Sequence, residues 1–192
     1  ICHCIARTLA KAHKRPFKKT RQRAGHVLDV LVTDLCGPMK TQSRGGNRYF
    51  MLVIDEHSSF IHYALLRRKS DATTELMNIM THIHRQKGSY PKVVHADGGG
   101  EYVNHVLERY CKERGIKLTN NAPYSSQQNS RAERFNRTVW ESALAMLNHS
   151  GMSLEWWGEA VAQAVHVLNR VPTKALGGYA PLILWNDKVG ES

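Results

Sequence analysis

"YPKVVHADGGGEYVNHVLERYCKERGIKLTN", Tyr90 to Asn120, decides the architecture of this chain. Its first part, "YPKVVHAD", is rich in branched apolar residues and reads as a short strand ending at Asp97. Three glycines, Gly98 to Gly100, break it. "EYVNHVLERYCKERG" then carries Val103, Val106, Leu107 and Tyr110 at helical steps, so one side of a helix is apolar. "IKLTN" reads as the next strand. A strand, a helix and a strand in this order predict a crossover unit and parallel pairing.

Working upstream, "KSDATTELMNIMTHIHRQKG" is a second helix. Ser70 can cap it, Leu76, Ile79, Met80 and Ile83 face the core, and Gly88 stops it. Before it lie three apolar runs: "HVLDVLVTDLC", closed by Gly37-Pro38, then Tyr49 to Ile54, then Phe60 to Leu66. "DEHSS" joins the last two as a hairpin loop, where Asp55 is expected to hydrogen-bond. Downstream, "NAPYSSQQNS" reads as a loop in which Ser125 can cap an early turn with Gln128 as partner. "RAERFNRTVWESALAMLNHS" follows as a long helix with Ala132, Phe135, Val139 and Ala143 in one apolar line. "SLEWWGEAVAQAVHVLNRVP" is another helix, capped by Ser153, stopped by Pro172 and buried through Trp157, Val161, Ala164, Val165 and Leu168. The whole predicts an α/β fold: a five-stranded mixed sheet flanked by helices.

The chain has 192 residues, enough for one domain with a small appendage. No run of 18 apolar residues occurs, which argues against a membrane-spanning helix. It does not begin with Met and reads as a piece of something longer. Cys2, Cys4, Cys36 and Cys111 are too scattered for a disulfide framework and fit a reducing compartment. The formal charge is +11, and residues 1–26 hold eight Lys and Arg without one acid. Such a basic segment suits a polyanion, most often nucleic acid; the plainer reading is a solvated tail.

A lone Asp-Gly most often makes a turn, so Asp97 gains meaning only from other acids. Asp34 lies toward the end of the first strand, and adjacent parallel strands gather ligand chemistry at their carboxyl ends. Glu133 stands one turn into the long helix, with Asn129, Arg137 and Trp140 on its face. Three acids from three elements can meet there. Bare carboxylates repel, and a hard divalent cation such as Mg²⁺ or Mn²⁺ would reconcile them. No His or Cys cluster beside them argues for zinc. Taken singly, each acid also reads as an ordinary turn or helix residue.

Together, "VTDLCGPM", "RYFMLVIDEHSSF", "HADGGGEY", "YSSQQNSRAERFNRTV" and "EAVAQAVHVLNRVP" resemble the integrase catalytic core of Ty1/copia-type retrotransposon polyproteins. Thirty-five residues separate Asp97 from Glu133, the spacing of that triad. The resemblance implies a ribonuclease-H-like fold, with Asp34, Asp97 and Glu133 as catalytic acids holding two Mg²⁺ or Mn²⁺ ions. It implies trimming of element DNA ends and joining of their 3′ hydroxyls to target DNA, by a homo-oligomer, in the nucleus or a cytoplasmic virus-like particle. Arg137 matches a DNA-contacting position, and Gln128 and Asn129 match the loop before the glutamate. Lys14, Arg15, Lys18, Lys19, Arg21 and Arg23 are expected to meet DNA phosphates.

Three departures stand out. Gly98 replaces the family's Asn, and Ser130 replaces a Gly. Cys2 and Cys4 are what remains of a zinc-binding module that normally ends in Cys-x-x-Cys, short of the roughly four ligands zinc needs. The domain reading is therefore a basic remnant at 1–26, a catalytic core at 27–172 and a truncated extension at 173–192. Two other functions stay open: a nuclease of the same fold without strand transfer, and an inactive nucleic-acid-binding relic.

Overall fold

The computed structural model describes residues 24–96, 105–120 and 126–186. Five strands form one sheet: β1 (Val30–Cys36), β2 (Tyr49–Asp55), β3 (Ile61–Leu66), β4 (Val93–Ala96) and β5 (Lys117–Asn120). Their spatial order is β3-β2-β1-β4-β5. The hairpin connections make β1/β2 and β2/β3 antiparallel, and the helical crossovers make β1/β4 and β4/β5 parallel. The helices are α1 (Ala72–Lys87), α2 (His105–Glu113), α3 (Ser126–Ser150), α4 (Trp157–Leu168) and the short α5 (Pro181–Trp185).

Side chains alternate across a strand, and the sheet uses both faces. Leu31, Met51, Val53, Val94 and Ala96 pack on one side with Leu76, Met80 and Ile83 of α1 and with Leu107 and Cys111 of α2. Val32, Phe50, Leu52 and Ile54 pack on the other with Ala132, Val139 and Ala143 of α3 and with Trp157, Val161, Ala164 and Val165 of α4. Burial on both faces explains why β2 is an unbroken apolar run rather than an alternating one. Trp157 also donates its indole N–H to the Thr41 carbonyl at 3.0 Å.

Asp55 is fully buried at the hairpin, as its position predicts. One oxygen accepts the Leu28 N–H at 2.9 Å, and the other accepts the Ser58 N–H and hydroxyl at 2.7 Å each. The open edge of β3 is closed by Asn169, just past α4. Its side chain accepts the Ile61 N–H and donates to the Ile61 carbonyl, both at 2.9 Å. Trp185 of α5 is buried, stacks on Phe60 at 5.0 Å and belongs to the α1 side of the core.

Four local expectations change. Ser70 does not cap α1; it lies in a short 3-10 turn, and the Asp71 carboxylate accepts the Arg68 N–H at 3.0 Å instead. Gly88 does stop the helix, at φ 74°. Val106 is half exposed, because Leu107 and Cys111 define the buried stripe of α2. Ser153 precedes a 3-10 turn and bonds Glu155 rather than the backbone. Finally, α3 starts at Ser126, so much of the stretch read as a loop is helical. Gln and Arg are good helix formers.

Candidate active site

Asp34 sits on β1 opposite Leu52 of β2, with the same parity as Val32, and so faces α3. Its neighbour Thr33 pairs with Ala96, the last residue of β4. Asp97, the next residue, lies outside the described residues. The two strands assigned to the two aspartates are thus adjacent and parallel.

The half-buried Asp34 carboxylate is held at both oxygens. Oδ1 accepts the Leu35 N–H at 2.9 Å, and Oδ2 accepts the Asn136 side-chain N–H at 2.7 Å. Asn136 belongs to α3 and is buried, while Glu133, one turn earlier on the same helix, is exposed. Helical neighbours three apart share a face, so this bond ties the strand of Asp34 to the helix turn of Glu133. Arg137 follows and is exposed. The Oδ1 atom of Asn136 is buried with no hydrogen-bond partner among the described residues.

Gln128 and Asn129 belong to the first turn of α3 and not to a preceding loop. Lys14, Arg15, Lys18, Lys19, Arg21, Arg23, Cys2 and Cys4 lie outside the described residues. Arg131 is anchored by a 2.9 Å bond to the Ser59 hydroxyl.

Two neighbours escape a reading based on acids alone. Asn136 stands at a core position of α3, between Ala132 and Val139; a polar residue inside an apolar line was the available signal. His95 pairs with Val32 and Thr119 across β4, and its buried ring bonds the Thr119 hydroxyl.

Burial, then the Asp34 charge, pushes the Cys36 thiol up to about 11. That direction favours the protonated thiol near neutral pH. Among the described residues no three His, Cys, Asp or Glu side chains form a metal-holding group. The Asp34 carboxylate, the Glu133 carboxylate and the unpartnered amide oxygen of Asn136 are all hard oxygen donors, the chemistry that suits Mg²⁺ or Mn²⁺ and not zinc. The cavity of about 520 Å³ lined by His62, Tyr63, His82 and Arg170 lies along the β3 edge, away from these acids.

A mixed sheet of this order, covered by helices on both faces and carrying a carboxylate on its central strand, is a ribonuclease-H-like fold. The integrase core domain family matches residues 25–126, and the chain belongs to that family. It is 34% identical over 178 residues to the retrovirus-related Pol polyprotein from transposon TNT 1-94 of Nicotiana tabacum, covering 93% of this chain and 13% of that protein. The Pol polyprotein from transposon RE2 of Arabidopsis thaliana is 25% identical over 94% of this chain, which again covers 12% of it. The chain thus spans roughly an eighth of these curated relatives. Among solved structures, the simian T-cell lymphotropic virus intasome in complex with the PP2A regulatory subunit B56 gamma matches with TM-score 0.68 at 16% identity. That match covers 85% of this chain and 56% of that one. The HTLV-2 integrase catalytic core in complex with magnesium, in a trimeric form, gives 0.64 at 13% identity, over 84% of this chain and 99% of that chain.

Proposed function

We propose that this chain is the catalytic core of a polynucleotidyl transferase that trims retroelement DNA ends and joins them to target DNA. The observation that carries the reading is the Asn136–Asp34 bond, which couples the acid of β1 to the helix of Glu133 beside the end of β4. Asp34, Asp97 and Glu133 would hold two divalent cations, by analogy with the magnesium complex of the HTLV-2 core. Such ions, when bound, stabilise the charge on both oxygens of an in-line phosphoryl displacement. Arg137, exposed one turn past Glu133, takes a DNA phosphate; Gln128, Asn129 and the basic residues up to Arg23 extend that contact. In joining, the element's 3′ hydroxyl oxygen forms the new bond to phosphorus. The target's P–O3′ bond breaks, and the proton leaves to solvent. The chain works as an oligomer, by analogy with the intasome and trimeric forms of its structural neighbours.

The test is a strand-transfer assay with pre-trimmed duplex donors, plasmid target and saturating Mn²⁺. Asp34→Asn, Asp97→Asn and Glu133→Gln are expected to lower joining by orders of magnitude while DNA binding at fixed salt holds. Asp55→Asn, altered only at the hairpin, should keep its activity per folded molecule. Equal losses in all four would reject the triad. Nicking without joined products would assign a nuclease, and salt-dependent binding without either would assign a binding role.

A further inference from the structure

We infer that the cavity beside the first turns of α3 is a docking pocket for a segment of another protein, one that carries a large apolar side chain flanked by carboxylates. The cavity measures about 320 Å³, and neither Asp34 nor Glu133 lines it. Phe135 of α3, Leu168 at the end of α4, and Leu176 and Pro181 of the segment that follows supply apolar walls. The wall beyond α4 is pinned. The Thr173 N–H donates to the Tyr179 carbonyl at 3.2 Å, the Gly178 N–H to the Thr173 carbonyl at 3.0 Å, and the Leu182 N–H to the Asn169 carbonyl at 2.8 Å. Gly177 and Gly178, at φ 66° and 91°, make that turn possible. The pocket is therefore formed before anything enters it, which lowers the cost of binding. The same segment leaves Val171 and Tyr179 47% and 45% exposed, so apolar surface is not confined to the cavity.

The charge around the cavity defines the occupant. Arg131 and Arg134 both line it, and among the described residues no acid does. Arg131 donates to the Ser59 hydroxyl at 2.9 Å and lies over the Phe135 ring at 5.9 Å, so its guanidinium is held in place. Arg134 is exposed. Like charges three apart on a helix repel, and carboxylates beside them would turn that repulsion into charge-assisted hydrogen bonds. The walls exclude nucleic acid. A sugar–phosphate chain laid against Phe135, Leu168, Leu176 and Pro181 would lose water from its phosphates without replacing it, whereas an apolar side chain gains from the same contact. Two arginines suit acids on both sides of the apolar anchor, the pattern of a peptide and not of a fatty acid with its single carboxylate. Glu133 stands two residues past Arg131, roughly 200° around the helix. It therefore points away from the pocket, and docking there requires nothing of the metal site.

The experiment uses the full chain and the peptide acetyl-Glu-Leu-Glu-amide, with binding followed by saturation-transfer NMR. The peptide should bind in the millimolar range or tighter. Replacing its leucine with glycine, or its glutamates with lysines, should weaken binding about 10-fold or more. Arg134→Glu should invert the charge preference, so that the lysine peptide becomes the better ligand. Ala175→Trp puts a bulky ring at an exposed position of the lining, and should abolish binding while the urea midpoint stays at the wild-type value. If that variant does not fold, the inversion by Arg134→Glu decides alone. Peptide binding that survives Ala175→Trp would belong elsewhere, such as to the basic residues 1–26, and would overturn the pocket. Equal binding of the glutamate and lysine peptides, or no detectable binding of the leucine peptide at millimolar concentration, would overturn it too. A DNA duplex that displaces the peptide, and that binds less tightly to the Ala175→Trp chain, would give the cavity to nucleic acid and reject a protein partner.

Discussion

His62 is a residue whose charge the fold disfavours. It lies on β3 edge-on to the stacked rings of Phe60 and Trp185, at 5.0 and 5.1 Å, with its Nε2 buried and unpartnered among the described residues. Burial, helped by nearby His82, lowers its pKa from 6.5 to about 4. Between those values the unfolded chain takes up a proton that the folded chain refuses. Its contribution to stability is therefore present above pH 6.5 and is lost as pH falls toward 4. Urea midpoints measured across this window should drop more steeply for wild type than for His62→Phe, by at most about 1.4 kcal/mol per pH unit. Parallel curves would show that the ring is not buried as described. The sequence places His62 on a strand but says nothing of Trp185, which lies 123 positions later and desolvates it. The same limit separates Asp34 from Asn136. Acids announce themselves by type and spacing; an amide that serves one of them looks like any other polar residue until the helix is laid on the sheet.

Elements were more legible than their margins. All five strands and the main helices follow from periodicity and glycine punctuation, because a sheet covered on both faces requires apolar residues on both. The misses fall where two patterns compete locally. Val103, Val106, Leu107 and Tyr110 are a valid helical stripe, yet α2 meets the sheet through Leu107 and Cys111, which rotates Val106 outward. The start of α3 hid behind polar residues that suit a loop and a helix alike. One device was invisible altogether: Asn169 imitating a neighbouring strand for the edge of β3. Asn169→Ala leaves a buried N–H and C=O of Ile61 unsatisfied, which should lower stability by about 2–4 kcal/mol. It also bares a strand edge. Chemical denaturation with light scattering should show both a lower midpoint and concentration-dependent association; a variant that stays monomeric at wild-type stability would deny Asn169 that role.

At the scale of the molecule, the segment after α4 matters more than its place in the sequence suggests. Leu182 donates to the Asn169 carbonyl at 2.8 Å, and Trp185 is 3% exposed within the α1 core. Trp185→Ala should destabilise the chain by about 3–5 kcal/mol, measured by denaturant titration, and a chain cut after residue 172 should lose at least as much. A truncated chain as stable as the whole would make 173–186 a mere appendage. The long reach of these contacts has a consequence for how the protein is made. A nascent chain that has reached residue 120 already contains every strand, but its Val32, Phe50, Leu52 and Ile54 still lack the helices that cover them. Asp34 waits 102 positions for Asn136, and the edge of β3 waits 108 for Asn169. Synthesis therefore passes through an interval in which half the sheet is bare and sticky, and the bond between Asn136 and Asp34 cannot form until the ribosome has moved well past α3.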